Sequence, residues 1–226
     1  MPAYHSTFLA EADTRLVGNF AVLPLRTKFR GPAYPTAEDY DIIDEVLDLF
    51  RANSFFRNFE IKGPADRTLI YGILFITDCL SAISANKNVV VDRSEANRIL
   101  NTLALEHFSI PGDAGFPLNS LYAPPRDRTE AEMLRGYLAQ FRQELAVRLI
   151  DRVYGSSDKP SKRKALFLKI SRLLTRYLIV LAGIHPSPFH EQVALVDNPF
   201  CPEGESQKEK VIERAPADFD LLKESE

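Results

Sequence analysis

Tryptophan is missing from this 226-residue chain, and cysteine occurs only twice, at Cys79 and Cys201. Two thiols so far apart exclude a disulfide framework and a cysteine-rich zinc site, and they suit a reducing compartment. Neither sign of charge is in large surplus: 28 lysines and arginines face 31 aspartates and glutamates, a formal net charge of −3. That balance gives no global case for a nucleic-acid partner. Histidine is scarce, with only His5, His107, His185 and His190. His185, His190 and Cys201 fail as a metal set, because Pro186 and Pro188 break any helical face that would aim them together. The longest apolar run, Tyr177 to Ile184, falls far short of the ~20 residues a bilayer-spanning helix needs. The opening "MPAYHSTFLAEAD" has neither the basic start nor the apolar stretch of a signal peptide. A soluble intracellular protein without metal or cofactor is the expectation.

What the chain does have is helical periodicity. Thr36 is placed to cap "AEDYDIIDEVLDLFRANSFF", with Glu38 and Asp39 in the first turn and Ile42, Val46 and Phe50 on one stripe. Pro64 opens "ADRTLIYGILFITDCLSAIS", which is apolar nearly all round and therefore belongs at the centre of the domain. Asp92 with Glu95 forms a capping-box pattern before Ile99, Leu100 and Leu103, and Thr129 with Glu132 offers a second. The helix that follows carries Leu134, Tyr137, Leu138, Phe141, Leu145 and Leu149, and Gly155 closes it. The stretch "RLVGNFAVLPLRTKFRGPAYP", with mixed periodicity and three prolines, reads as extended chain across the helices. The predicted fold class is all-α: a compact helical domain with one central apolar helix surrounded by the others.

Catalytic patterns fail one by one. Cys79 lies on the most apolar helix, where a small buried side chain fits better than a nucleophile. "PGDAGFP" lacks the Lys-Ser/Thr that a phosphate-cradling loop requires. Asp41, Asp44, Glu45 and Asp48 recur at helical spacing and read as a solvated helix face. Two stretches resist a bland account. "SIPGDAGFPLNSLYAPPRD", residues 109–127, is a long proline-stiffened loop rich in apolar groups, suited to a contact surface. Phe116, Leu118 and Tyr122 could equally fold back as a lid on the central helix, so partly inward and partly outward packing is expected. Residues 162–182 hold six bases and no acid around an apolar face, either a docking surface or the last wet helix of the bundle. From Glu191 onward ten acids meet four bases, too polar a stretch to fold, so disorder is expected there.

Several long strings, in this order, carry a resemblance: "MPAYHS", "RLVGNFAVLPLRTKFRGPA", "FRANSFFRNFEIKGPADRTLIYG", "IPGDAGFPLNSLYAPP", "LAQFRQELAVRLIDRVY" and "DKPSK". Together they resemble subunit 3 of the actin-related protein 2/3 complex, over residues 1 to about 162. The resemblance implies an all-helical domain with one enclosed helix and no catalytic activity. It implies a structural subunit that docks chiefly on actin-related protein 3 and supports nucleation of branched actin filaments. Its wider partners would be the other subunits, actin-related protein 2 and actin filaments at the branch, in the cytoplasmic actin cytoskeleton. Neither nucleic acid nor membrane is an expected partner. The residues placed at the contact are Tyr4, His5, Phe116, Leu118, Tyr122, Lys159 and Lys162. The family typically carries a tryptophan pair after "KPSK"; this chain has Arg163-Lys164 there. The expected organisation is a family domain over 1–162, a divergent basic amphipathic helix over 163–184 and a disordered acidic tail over 185–226. An adaptor binding a membrane or an acidic protein through residues 162–182 is the alternative.

Overall fold

A computed structural model describes residues 4–10, 14–53, 60–84 and 91–157, all within one compact unit. A single 3-10 turn, Thr7–Ala10, precedes a hairpin of β1 (Arg15–Val17) and β2 (Phe20–Val22). Among the described residues four helices follow: α1 (Ile42–Asn53), α2 (Pro64–Ser84), α3 (Arg93–Leu105) and α4 (Arg128–Tyr154). The fold is mostly helical, but the all-α expectation needs correction by that two-stranded antiparallel sheet. Its register pairs Arg15 with Val22, Leu16 with Ala21 and Val17 with Phe20. Gly18 and Asn19 make the two-residue turn, with Gly18 at φ 57°. A Cβ at Gly18 would stand 2.5 Å from the Ala123 carbonyl oxygen, so backbone passes backbone here with no room for a side chain.

β2 is buried along its whole length, which is why alternation did not announce it. It packs on α2, where the Thr68 hydroxyl donates to the Ala21 carbonyl at 2.8 Å. Just beyond β2, the Leu23 amide donates to the Tyr137 hydroxyl at 3.2 Å, tying the hairpin to α4. Leu25 then bridges to Pro35, so the proline-rich stretch is extended as expected, but anchored at both ends.

α2 lies at the centre, as its all-round apolar surface predicts, against α1, α3, α4, β2 and the 3-10 turn. At 21 residues it has the length and composition of a membrane span, yet its side chains are mostly enclosed by the rest of the fold. Gly72 makes this packing close. A Cβ there would fall 2.7 Å from both methyls of Val46 on α1 and 3.1 Å from Phe141 on α4. Gly72→Ala is therefore expected to destabilise the domain by roughly 1–3 kcal/mol through overpacking, despite alanine's better helix propensity. Urea unfolding of the variant against the parent checks this; equal midpoints would show that α1 can move aside.

The helix starts differ in detail from the sequence reading. Thr36 caps no helix; its hydroxyl accepts from the Glu38 amide in a local turn. The cap of α1 is Asp41, which accepts from the amides of Ile43 and Asp44 at 3.1 and 3.2 Å. Asp92 caps α3 as expected, accepting from the Glu95 amide. On α4 the box lies two residues earlier than Thr129 and Glu132. Asp127 accepts from the Glu130 amide at 2.7 Å, and the Glu130 carboxylate reaches back to the Arg126 amide at 2.9 Å. Gly155 ends α4.

The acids of α1 form a solvated face only in part. Asp41 and Glu45 are buried, whereas Asp48 is well exposed. Arg148 of α4 explains Asp41: its fork meets the carboxylate at 2.7 and 3.0 Å, while Asp44 and Glu144 lie 2.9 and 2.8 Å from it. Arg148 also donates to the Arg26 carbonyl, so one cation joins α1, α4 and the extended segment. Burial alone would raise the Asp41 carboxyl; the bonds from Arg148 and the Arg26 amide outweigh it and hold the pKa below its usual value.

Candidate interaction surfaces

The first surface is the N-terminal strap, residues 4–10. It is held by two buried carboxylates, Glu45 of α1 and Asp66 of α2. Glu45 accepts from the Ser6 hydroxyl at 2.6 Å and from the Thr7 amide and hydroxyl at 2.7 and 2.8 Å. Asp66 accepts from the amides of Ser6 and Lys62 at 2.8 and 2.9 Å, and the His5 ring lies 2.9 Å away through Nδ1. Asn53 brackets Tyr4, accepting from its amide and donating to its carbonyl. With its backbone fixed in this way, Tyr4 projects its ring outward, 52% exposed. A large side chain on a pinned backbone loses little freedom when it docks.

The second surface is the loop of residues 106–127 between α3 and α4. It is a chain of turns, closed by bonds from Asp113 to Ile110, Phe116 to Asp113 and Leu121 to Leu118 along the backbone. Asn119 braces it by accepting from the Gly112 amide and donating to the Asp113 carbonyl. The Ile110 amide and the Arg135 guanidinium both bond the Asp113 carboxylate and hold its pKa below the usual range.

Phe116, Leu118 and Tyr122 turn inward in this loop, which corrects their placing as outward contacts. Phe116 and Tyr122 meet edge to face at 5.2 Å, Phe116 stacks on Tyr71 of α2, and Tyr122 lies beside Phe20 of β2. The Tyr122 hydroxyl donates to the Arg67 carbonyl at 2.7 Å, and burial pushes its pKa far above that of free tyrosine. The lid reading holds for all three: the hairpin and α2 present Phe20 and Tyr71, and this loop packs over them. Leu121, which sequence reasoning did not single out, points to water instead and is 44% exposed. Its carbonyl accepts from Asn19 at 3.2 Å and from Arg67 Nε at 2.9 Å. Sequence had no signal for this: the partners lie at residues 19 and 67, far along the chain.

Lys159, Lys162, the basic stretch 162–182 and the acidic tail lie outside the described residues. Among the described residues no group of three metal-ligating side chains is assembled. Cys79 is fully buried, and desolvation pushes its thiol pKa well up, the opposite of an activated nucleophile.

A family model described as the ARP2/3 complex ARPC3 (21 kDa) subunit, P21-Arc, matches residues 1–175. The chain belongs to the ARPC3 family. The match takes in both surfaces and runs past Lys162, where the quoted strings end. Curated relatives are similar across nearly their whole length. The actin-related protein 2/3 complex subunit 3 of Schizosaccharomyces pombe is 61% identical over 171 residues, covering 75% of this chain and 95% of the relative. That of Saccharomyces cerevisiae is 57% identical over 174 residues, covering 76% and 96%. That of Dictyostelium discoideum is 47% identical over 171 residues, covering 75% and 94%. Membership in the ARPC3 family makes this a structural subunit of an actin-nucleating complex. The adaptor alternative through residues 162–182 finds no support in these relatives.

Proposed function

We propose that the chain works without catalysis, docking on actin-related protein 3 and so helping actin-related protein 2 and its counterpart reach a filament-like arrangement. Such a subunit acts through differential contacts: it favours one arrangement of its neighbours only by binding that arrangement better. The observation that carries this reading is the pairing of an ARPC3 family match over residues 1–175 with an N-terminal strap pinned by buried carboxylates. A rigid outer skin on a closed apolar core is what a scaffold needs. Tyr4 and His5, at the pinned strap, are the contact residues of this reading. Lys159 and Lys162 join them as a basic docking extension. The working location is the cytoplasmic actin cytoskeleton, at filament branches.

An affinity pull-down of the tagged chain from the source cell's cytosol tests this. Actin-related proteins 2 and 3 are expected in amounts comparable to the bait, together with the other subunits. Recovery of neither would overturn the reading.

A further inference from the structure

Beside the braced loop lies an open groove of about 460 Å³ lined by Asn19, Ile61, Arg67, Ser120, Leu121, Tyr122 and Ala123. Arg67 is the only charged residue among them. Its Nε is spent on the Leu121 carbonyl, and among the described residues its two Nη atoms have no hydrogen-bond or ion-pair partner. Leu121 and Ile61 supply apolar surface next to that guanidinium. The two donors on the Leu121 carbonyl hold the leucine in place before any partner arrives.

We propose that this groove binds a peptide segment of a protein partner in which a carboxylate stands beside a bulky aliphatic side chain. The carboxylate takes the free edge of Arg67, a charge-assisted bond of the strong kind. The aliphatic group covers Leu121 and Ile61. The free Nη edge of one guanidinium offers two parallel donors, which match the two oxygens of a single carboxylate. The hydroxyl of Ser120 and the bonded amide of Asn19 line the groove with polar groups that can meet a peptide backbone. This goes beyond membership in a complex, since it concerns a site on the free chain and states the chemistry of its occupant.

The test uses the purified full-length chain and fluorescence anisotropy with three labelled peptides: a mixed glutamate–leucine sequence, its lysine–leucine counterpart and its glutamate–serine counterpart. The glutamate–leucine peptide is expected to bind at least about tenfold more tightly than either of the others. Leu121→Ser should reduce its binding to the level of the serine peptide. Arg67→Glu should invert the preference toward the lysine–leucine peptide. Arg98→Glu, the same charge change on α3 outside the groove, should alter affinity by less than about twofold. Thermal unfolding of each variant shows whether the fold is kept. Should Arg67→Glu fail to fold, Arg67→Met serves instead and should abolish the preference for glutamate over lysine. Absence of binding by the parent, an unaffected Leu121→Ser, or equal losses in Arg67→Glu and Arg98→Glu would each overturn the proposal.

Discussion

Arg148→Ala is expected to cost about 3 kcal/mol of stability, because it strips the shared cation from a largely buried cluster of carboxylates. For a chain of this size that corresponds to a fall in Tm of roughly 6–12 °C. Asp41, Asp44 and Glu144 all lie within salt-bridge distance of Arg148, so the variant leaves three like charges facing one another. The sign of the pH dependence follows. In the parent, Asp41 has a depressed folded pKa, so its contribution is present above the ordinary value of 3.8 and is lost as pH falls through the folded value. In the variant, like-charge repulsion and burial push the Asp41 carboxyl up. A raised folded pKa penalises the fold most when the group is ionised, and the penalty eases on acidification. The gap between parent and variant should therefore be wide near about pH 7.5 and narrower near about pH 5. Arg148→Lys should recover only part of it, since an ammonium cannot reproduce the fork that spans both oxygens of Asp41. Urea unfolding at the two pH values checks this, and a gap that widened on acidification would contradict the assignment.

Asp66→Ala should be the second large effect, about 3 kcal/mol, because it leaves the buried Ser6 amide and the half-buried Lys62 amide without an acceptor. The Ser6 and Lys62 amides both depend on this carboxylate, as does the His5 ring. Its consequence is local as well as global. Amides of residues 4–10 should lose hydrogen-exchange protection, while those in the middle of α2 keep theirs. Under the proposed function, the same variant should enter the assembled complex poorly, because Tyr4 and His5 are no longer held in place. A variant that unfolds cooperatively with no selective loss in the strap would show that Asp66 serves the core alone. Asn53→Ala provides the milder comparison, since Asn53 holds only Tyr4 among the strap residues.

The two variants also show where reading by pattern stopped. Asp41, Asp44, Glu45 and Asp48 recur at helical spacing, and spacing cannot say which face of an amphipathic helix a carboxylate will share with a distant partner. Arg148 lies 107 residues from Asp41, and Ser6 lies 39 from Glu45. The same limit applies to the loop. Phe116, Leu118 and Tyr122 have the composition of a contact surface and the position of a lid. Only the bare apolar side left by β2 and α2 decides between the two. The hairpin was within reach, since Val17-Gly18-Asn19-Phe20 is a two-residue turn signal. Burial of every residue in β2 removed the alternation that would have supported it.

Several things were settled by local chemistry alone. Pro64 and the all-round apolar surface after it determined that α2 starts there and lies inside. Asp92 and Gly155 determined where α3 begins and α4 ends, because caps act within one turn of the chain. The quoted strings determined the family. Tertiary structure decided the rest: which acids are buried, that Arg148 gathers three of them, and that Leu121 rather than its aromatic neighbours faces water. The physical reason is that burial and charge pairing are properties of groups far apart in sequence. Except for Glu144, which lies one helical turn from Arg148, the partners of these pairs share no short window of the chain.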